Sequence, residues 1–109
     1  MNYTWRIDTV GTRNQVNHEG ATLTDAIVEI RWVKIGTDDD GNVGEYVSTT
    51  LVDATTTPAA DFIAYSDLTK ANLVSWIEAS IPADEMNTIN QAIARKIEKS
   101  QTTTRVFNQ

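Results

Sequence analysis

The residues best able to do chemistry sit in Asp38-Asp39-Asp40-Gly41-Asn42, where three carboxylates and an amide fall within five positions. Such a run invites a calcium reading, because hard cations collect oxygen ligands from alternate positions of a tight loop. A loop starting at Asp38 has Asp40 and Asn42 at its third and fifth positions, as required. Its sixth position is then Val43, where the sharp turn needs Gly, and its twelfth is Thr49, where a bidentate Glu should close the shell. The run reads as a solvated hairpin tip. His18 is the one histidine and has no neighbouring nucleophile or second ligand. Cysteine is absent, which excludes disulfides, thiolate metal sites and cysteine nucleophiles. No glycine-rich phosphate loop occurs. The chain is therefore read as a non-enzyme, with no catalytic, cofactor-binding or metal-ligating residue to name.

Apolar groups on exposed surfaces are the other candidates for function. They depend on the elements that carry them. The organising element is a helix opened by Thr69 as N-cap and closed by Pro82, with Leu73, Trp76, Ile77 and Ile81 as one buried stripe. Leu68 and Leu73 have the spacing of a hydrophobic staple, and Asn72 makes only a partial capping box. Trp76 is expected to anchor the core, since an indole buries about 200 Å². A second helix, 84–99, carries the stripe Met86, Ile89, Ile93 and Ile97, with acids at its start and cations near its end.

Before the helices the pattern has the period of strands. Tyr3, Trp5 and Ile7 alternate with Thr4, Arg6 and Asp8, which predicts a half-buried strand over 3–10. Residues 12–25 are polar and without sustained period, and are expected to form a long loop. Residues 26–35 form the strongest strand, 36–44 a hairpin connection, and 45–53 a Thr-rich third strand. The fold class is thus α+β: an antiparallel sheet of about three strands with two C-terminal helices packed on one face, in the order βββαα. Residues 1–100 form one domain, and 101–109 a flexible C-terminal tail.

In that arrangement Ile27, Val33 and Ile35 lie opposite Val28, Ile30 and Trp32, where they either face water as a contact patch or are covered by the long 11–25 loop. Val106 and Phe107 are an apolar pair in a polar tail and form a candidate docking arm. These five are the candidate protein-interaction residues. The net charge of −6 argues against a nucleic-acid partner. That charge is uneven: residues 1–69 carry four Lys/Arg and eleven Asp/Glu, and residues 70–109 carry five and four. No run approaches the ~20 apolar residues of a membrane span. The opening residues show no signal-peptide pattern, so no membrane partner is expected. No small-molecule substrate is indicated.

The segments Tyr3-Thr4-Trp5-Arg6-Ile7, Ala26 to Gly44, and Phe62-Ile63-Ala64-Tyr65-Ser66-Asp67-Leu68-Thr69 through Trp76-Ile77 together resemble a family of small, functionally unassigned proteins of marine tailed phages, T4-like cyanophages in particular. The resemblance covers most of residues 3–99 and carries no catalytic residue. Lys70 and Asn72 stand where that family usually has acids, which changes the charge of the first helical turn. The resemblance implies a viral setting and by itself no role. Taken with the half-apolar strand face, the long loop and the tail arm, it leads to the expectation of a virion-associated decoration, neck or tail component, made in the host cytoplasm, whose partners are other phage structural proteins and itself. The alternative is an early phage protein that binds a host factor as an acidic monomer.

Overall fold

The computed structural model describes residues 1–109. Three strands form an antiparallel sheet in the order β1-β2-β3, with β1 at Asn2–Val16, β2 at Thr22–Thr37 and β3 at Val43–Leu51. Single turns of 3-10 helix at Ala59–Asp61 and Tyr65–Asp67 lead into α1 (Lys70–Ser80), and α2 (Ala83–Ser100) follows directly. This is the βββαα arrangement, with both helices on one face of the sheet and Ile77, Ile89, Ile93 and Ile97 packed on Ile30 and Trp32.

The expected 12–25 loop is not a loop. β1 runs on to Val16, β2 begins at Thr22, and the two pair as a long hairpin closed at Asn17–Ala21. Three register shifts, at Ile7/Thr9, Gly11/Thr12 and Arg13/Gln15, hide this hairpin from a period-two reading. Each changes which residues share a face. The first leaves Asp8 unpaired, so Val10 joins Ile7 on the core side. The tip is tied down by Asn17, only 5% exposed. Its Nδ2 donates to the Thr57 carbonyl at 2.9 Å, and its Oδ1 accepts from the backbone N–H groups of Glu19 and Ala21 at 3.0 and 2.9 Å. Glu19 accepts from the Ala59 N–H at 2.8 Å, so the 54–59 segment is clasped to the tip. Beneath that segment Leu23, Ala26 and Ala54 form a small second core, with Phe62 against it.

The large aromatic at the centre is Trp32, 2% exposed, rather than Trp76, which is half-buried. A strand residue in the middle of a three-stranded sheet is covered by both neighbours and by the helices. A residue of α1 near the sheet margin is covered on one side. Trp32 meets Trp5 edge to face, centroids 5.2 Å apart, and its Nε1 donates to Thr50 Oγ1 at 2.9 Å. The N-terminus of α1 is better capped than expected. Thr69 Oγ1 accepts from the Asn72 N–H, and Asn72 Oδ1 accepts from the Thr69 N–H, a complete capping box.

Gly36 and Gly44 pair across β2 and β3 directly under α2. A Cβ on Gly44 would lie 2.6 Å from the Ile93 carbonyl oxygen, and one on Gly36 2.6 Å from Ile93 Cγ2. Close approach of the helix, not turn geometry, is what these two glycines serve. In the turn itself only Gly41 has positive φ, at 83°.

Candidate protein-contact site

The face of the sheet turned away from the helices carries Thr4, Arg6 and Thr9 from β1, Arg31, Val33, Ile35 and Thr37 from β2, and Val43, Val47, Thr49 and Leu51 from β3. Of the residues expected to face water here, Ile27 and Val33 are buried, at 4% and 0% exposure, and Ile35 is half-buried. Both corrections have a local cause. Pairing steps from Gly11↔Glu29 to Thr12↔Ile27, so Val28 is an extra residue and Ile27 turns into the core with Ile30 and Trp32. Val33 stays on the open face but lies between Arg6 and Val47. The Arg6 guanidinium reaches from β1 to β3, with Nη1 3.4 Å from Glu45 Oε1 and Nε 2.9 Å from Asp8 Oδ1. That arm crosses the central strand and shields Val33. The apolar groups that remain on this face are Val43, Val47 and Leu51, 53%, 48% and 79% exposed, which an argument confined to β2 does not reach.

A cleft of about 540 Å³ opens beside β1, between that strand and the Tyr65–Leu73 segment. Ile7, Val10, Ile27, Leu68 and Leu73 form its floor, with Arg6, Tyr65, Ser66, Thr69 and Lys70 around them. Its polar groups are hydroxyls and cations, with no carboxylate or imidazole among them. The outer edge of β1 is free along the cleft, since β1 pairs with β2 alone and no turn or loop backbone bond engages residues 2–13.

Past Ser100 the chain has no regular structure except one turn at Gln101, and every residue of 101–109 is exposed. Val106 and Phe107 are 91% and 83% exposed, as far from burial as any apolar residue here. The structure thus brings Val33 and Ile35 together on one face. It does not join them to Ile27, or to the arm.

The acidic turn uses its carboxylates internally. Asp38 Oδ1 accepts from the backbone N–H groups of Asn42 and Asp40 at 2.8 and 3.0 Å, and Oδ2 from Asn42 Nδ2 at 3.1 Å. These bonds, that from the Asn42 N–H first, hold the Asp38 pKa below its ordinary value. No three His, Cys, Asp or Glu side chains converge as a metal would need. His18 is exposed at the hairpin tip, where only its backbone N–H is engaged, by the Thr55 carbonyl at 2.8 Å.

One charged side chain that the sequence did not mark is buried. Lys34, 5% exposed, points from β2 under α2. Its Nζ donates to Asn90 Oδ1 at 2.7 Å, lies 3.2 Å from Met86 Sδ, and sits 4.4 Å from the Tyr3 ring centroid and 5.2 Å from that of Trp5. No carboxylate pairs with it. Burial pushes its pKa down, and the charge of Glu78 opposes this. Its signal was visible only as a cation in register with Ile30 and Trp32.

No helix is long and apolar enough to cross a membrane. Neither the curated proteins nor the solved structures contain a match to this chain. Residues 1–108 match the family model described as Domain of unknown function (DUF7936), and the chain belongs to that family.

Proposed function

We propose that the protein is a virion-associated structural component of a phage, a small decoration, neck or tail protein that works by contacts with other structural proteins and with its own copies. The observation that carries this reading is the excess of surface. The chain exposes 7457 Å², whereas a monomer of its mass exposes about 6,000 Å². Its radius of gyration is 18.5 Å, against about 13 Å for a compact chain of this length. A length of 69 Å, an unpartnered sheet face and an exposed apolar tail offer the surface that contacts with neighbours would use. The resemblance to small marine tailed-phage proteins supplies the setting.

Mass spectrometry of purified particles of the encoding phage tests the reading. Peptides of this chain should appear in fixed ratio to the major capsid protein, and the ratio separates capsid decoration from a neck or tail ring. Their absence from washed particles would overturn it. The concentration of negative charge in residues 1–69 favours one other reading, an early protein that occupies a host factor, and absence from the particle is its expected result.

A further inference from the structure

The outer edge of β3 is open and regular. Its pairing with β2 has no register shift, whereas that of β1 has three. Val52, one step past the strand, donates its N–H to the Val28 carbonyl at 2.9 Å, so in the antiparallel alternation the even residues of β3 bond to β2. The odd residues, from Val43 to Leu51, turn their N–H and C=O groups outward, where no turn or loop backbone meets them. The Glu45 carbonyl accepts there from a side chain, Lys96 Nζ at 2.6 Å. The same odd residues carry the exposed apolar groups Val43, Val47 and Leu51. An open edge of this kind is a template for another strand.

The strand that fits this edge is its own copy. Val43-Gly44-Glu45-Tyr46-Val47-Ser48-Thr49-Thr50-Leu51, laid antiparallel on itself about Val47, overlaps along its full length. Val47 then opposes Val47, Val43 opposes Leu51, and Glu45 opposes the Thr49 hydroxyl, so the apolar groups form one unbroken stripe. A slip of two residues sets Glu45 against Val47 or Leu51, and a slip of four sets it against a second acid, Glu45 itself or Asp53. The helix layer repeats the match. α2 runs counter to β3: Glu85 and Ile89 flank Thr49 and Thr50, while Lys96 reaches Glu45 and Ile97 lies over Gly44. Where Glu45 opposes Thr49, Lys96 of one copy therefore comes beside Glu85 of the other, twice by symmetry. The acidic first turn of α2, Asp84 and Glu85, faces the end that carries Arg95, Lys96 and Lys99, and the antiparallel helices oppose their dipoles.

We propose that β3 pairs edge to edge with β3 of a second copy of this chain, across a twofold axis at Val47, and so doubles the three-stranded sheet with all helices on one face. The contact is isologous, so it closes at the dimer. It rests on the reading above only in that copies of this chain meet, and it names the edge at which they do.

The chain has no cysteine, so introduced thiols report unambiguously. Val43, Val47 and Leu51 are exposed, and replacing them leaves the core intact. In the proposed register Val47 faces itself with Cα atoms about 5.5 Å apart, within disulfide reach. Val43 lies about 27 Å from Val43 of the other copy, at ~3.4 Å per residue along the strand. Under mild oxidation Val47→Cys should form a disulfide dimer. Val43→Cys and Leu51→Cys chains should link when mixed, and neither should link alone. Val47→Lys sets like charges on the axis and should be monomeric by sedimentation velocity where the natural chain is dimeric. In the V47C dimer the N–H groups of Glu45, Thr49 and Leu51 should exchange with deuterium at least tenfold more slowly than in V47K. Equal linking by all three single variants would overturn the pairing. So would unprotected N–H groups in the linked dimer, which would mean that open faces stack instead. A monomeric natural chain with abundant peptides in particles would remove the dimer and leave the virion role standing. The expected dimer from a chain absent from particles would separate the two the other way.

Discussion

Lys34 is the residue whose surroundings make the clearest quantitative demand. A buried ammonium without a carboxylate partner retains one strong hydrogen bond, to Asn90, and the faces of Tyr3 and Trp5. Those contacts recover part of its lost hydration, while burial still holds its pKa below the ordinary lysine value. Between the lowered folded value and the ordinary lysine value, about 10.4, the unfolded chain binds more protons than the folded one. Stability therefore rises with pH through that window, as the folded state sheds a proton it holds at a cost. Urea midpoints measured from neutral pH up to about pH 10 should climb for the natural chain, and the climb should be lost in Lys34→Met. An equal climb in both proteins would mean that some other group sets the alkaline slope. Asp38 works in the opposite direction. Its pKa is depressed, so its contribution is present above the ordinary carboxylate range and is lost as the pH falls through the folded value.

At the scale of elements, α2 is fixed by how closely it lies on the β2–β3 pair. Gly44 and Gly36 oppose each other there, but the obstacles above them differ. Over Gly44 the nearest atom is the backbone oxygen of Ile93, which can move only if the helix moves. Over Gly36 the nearest atoms are Ile93 Cγ2 and Met1 Sδ, side-chain atoms that can shift. Gly44→Ala should cost about 2 kcal/mol, in the range of core overpacking, and Gly36→Ala distinctly less. Urea denaturation of both variants checks the order, and equal costs would mean that α2 rides over the sheet without strain. The helices were legible in advance because nothing interrupts their period: Thr69 caps, Pro82 stops, and Ile89, Ile93 and Ile97 recur at four-residue steps. The long hairpin was not, because each register shift reverses the parity by which faces are read. Asn14, Asn17 and Asp25 look like loop residues, yet they make the bonds that hold the irregular pairing. Asp25 takes φ of 52° and its N–H donates to Asn14 Oδ1 at 2.9 Å. The same parity change misplaced Ile27, whereas Val33 was placed on the correct face and missed only the Arg6 arm across it. Val106 and Phe107 were visible by composition alone, but a cleft made of Ile7, Val10, Leu68 and Leu73 joins residues more than fifty positions apart and has no signature in sequence.

For the whole molecule, length and charge act together. An acidic residue 1–69 portion and a mildly basic C-terminal end on the same chain attract other copies over distances set by ionic screening, while exposed apolar groups such as Phe107 act only on touching. The two contributions respond oppositely to salt. Screening shortens from about 30 Å at 0.01 M to about 10 Å at 0.1 M ionic strength, which weakens steering between exposed charges. Kosmotropic salts strengthen apolar burial instead. If the acidic and basic ends of two copies attract each other, self-association followed by sedimentation velocity should fall between those two ionic strengths in sodium chloride. Reversal of two C-terminal charges, Lys99→Glu at the end of α2 with Arg105→Glu in the tail, should lower it further at low salt and make it insensitive to salt. Association that grows with added salt and ignores the charge reversal would point to the apolar strip Val43, Val47 and Leu51 on the open sheet face as the seat of assembly. The arm would then be a peripheral tether, and the sheet face the surface on which subunits stack.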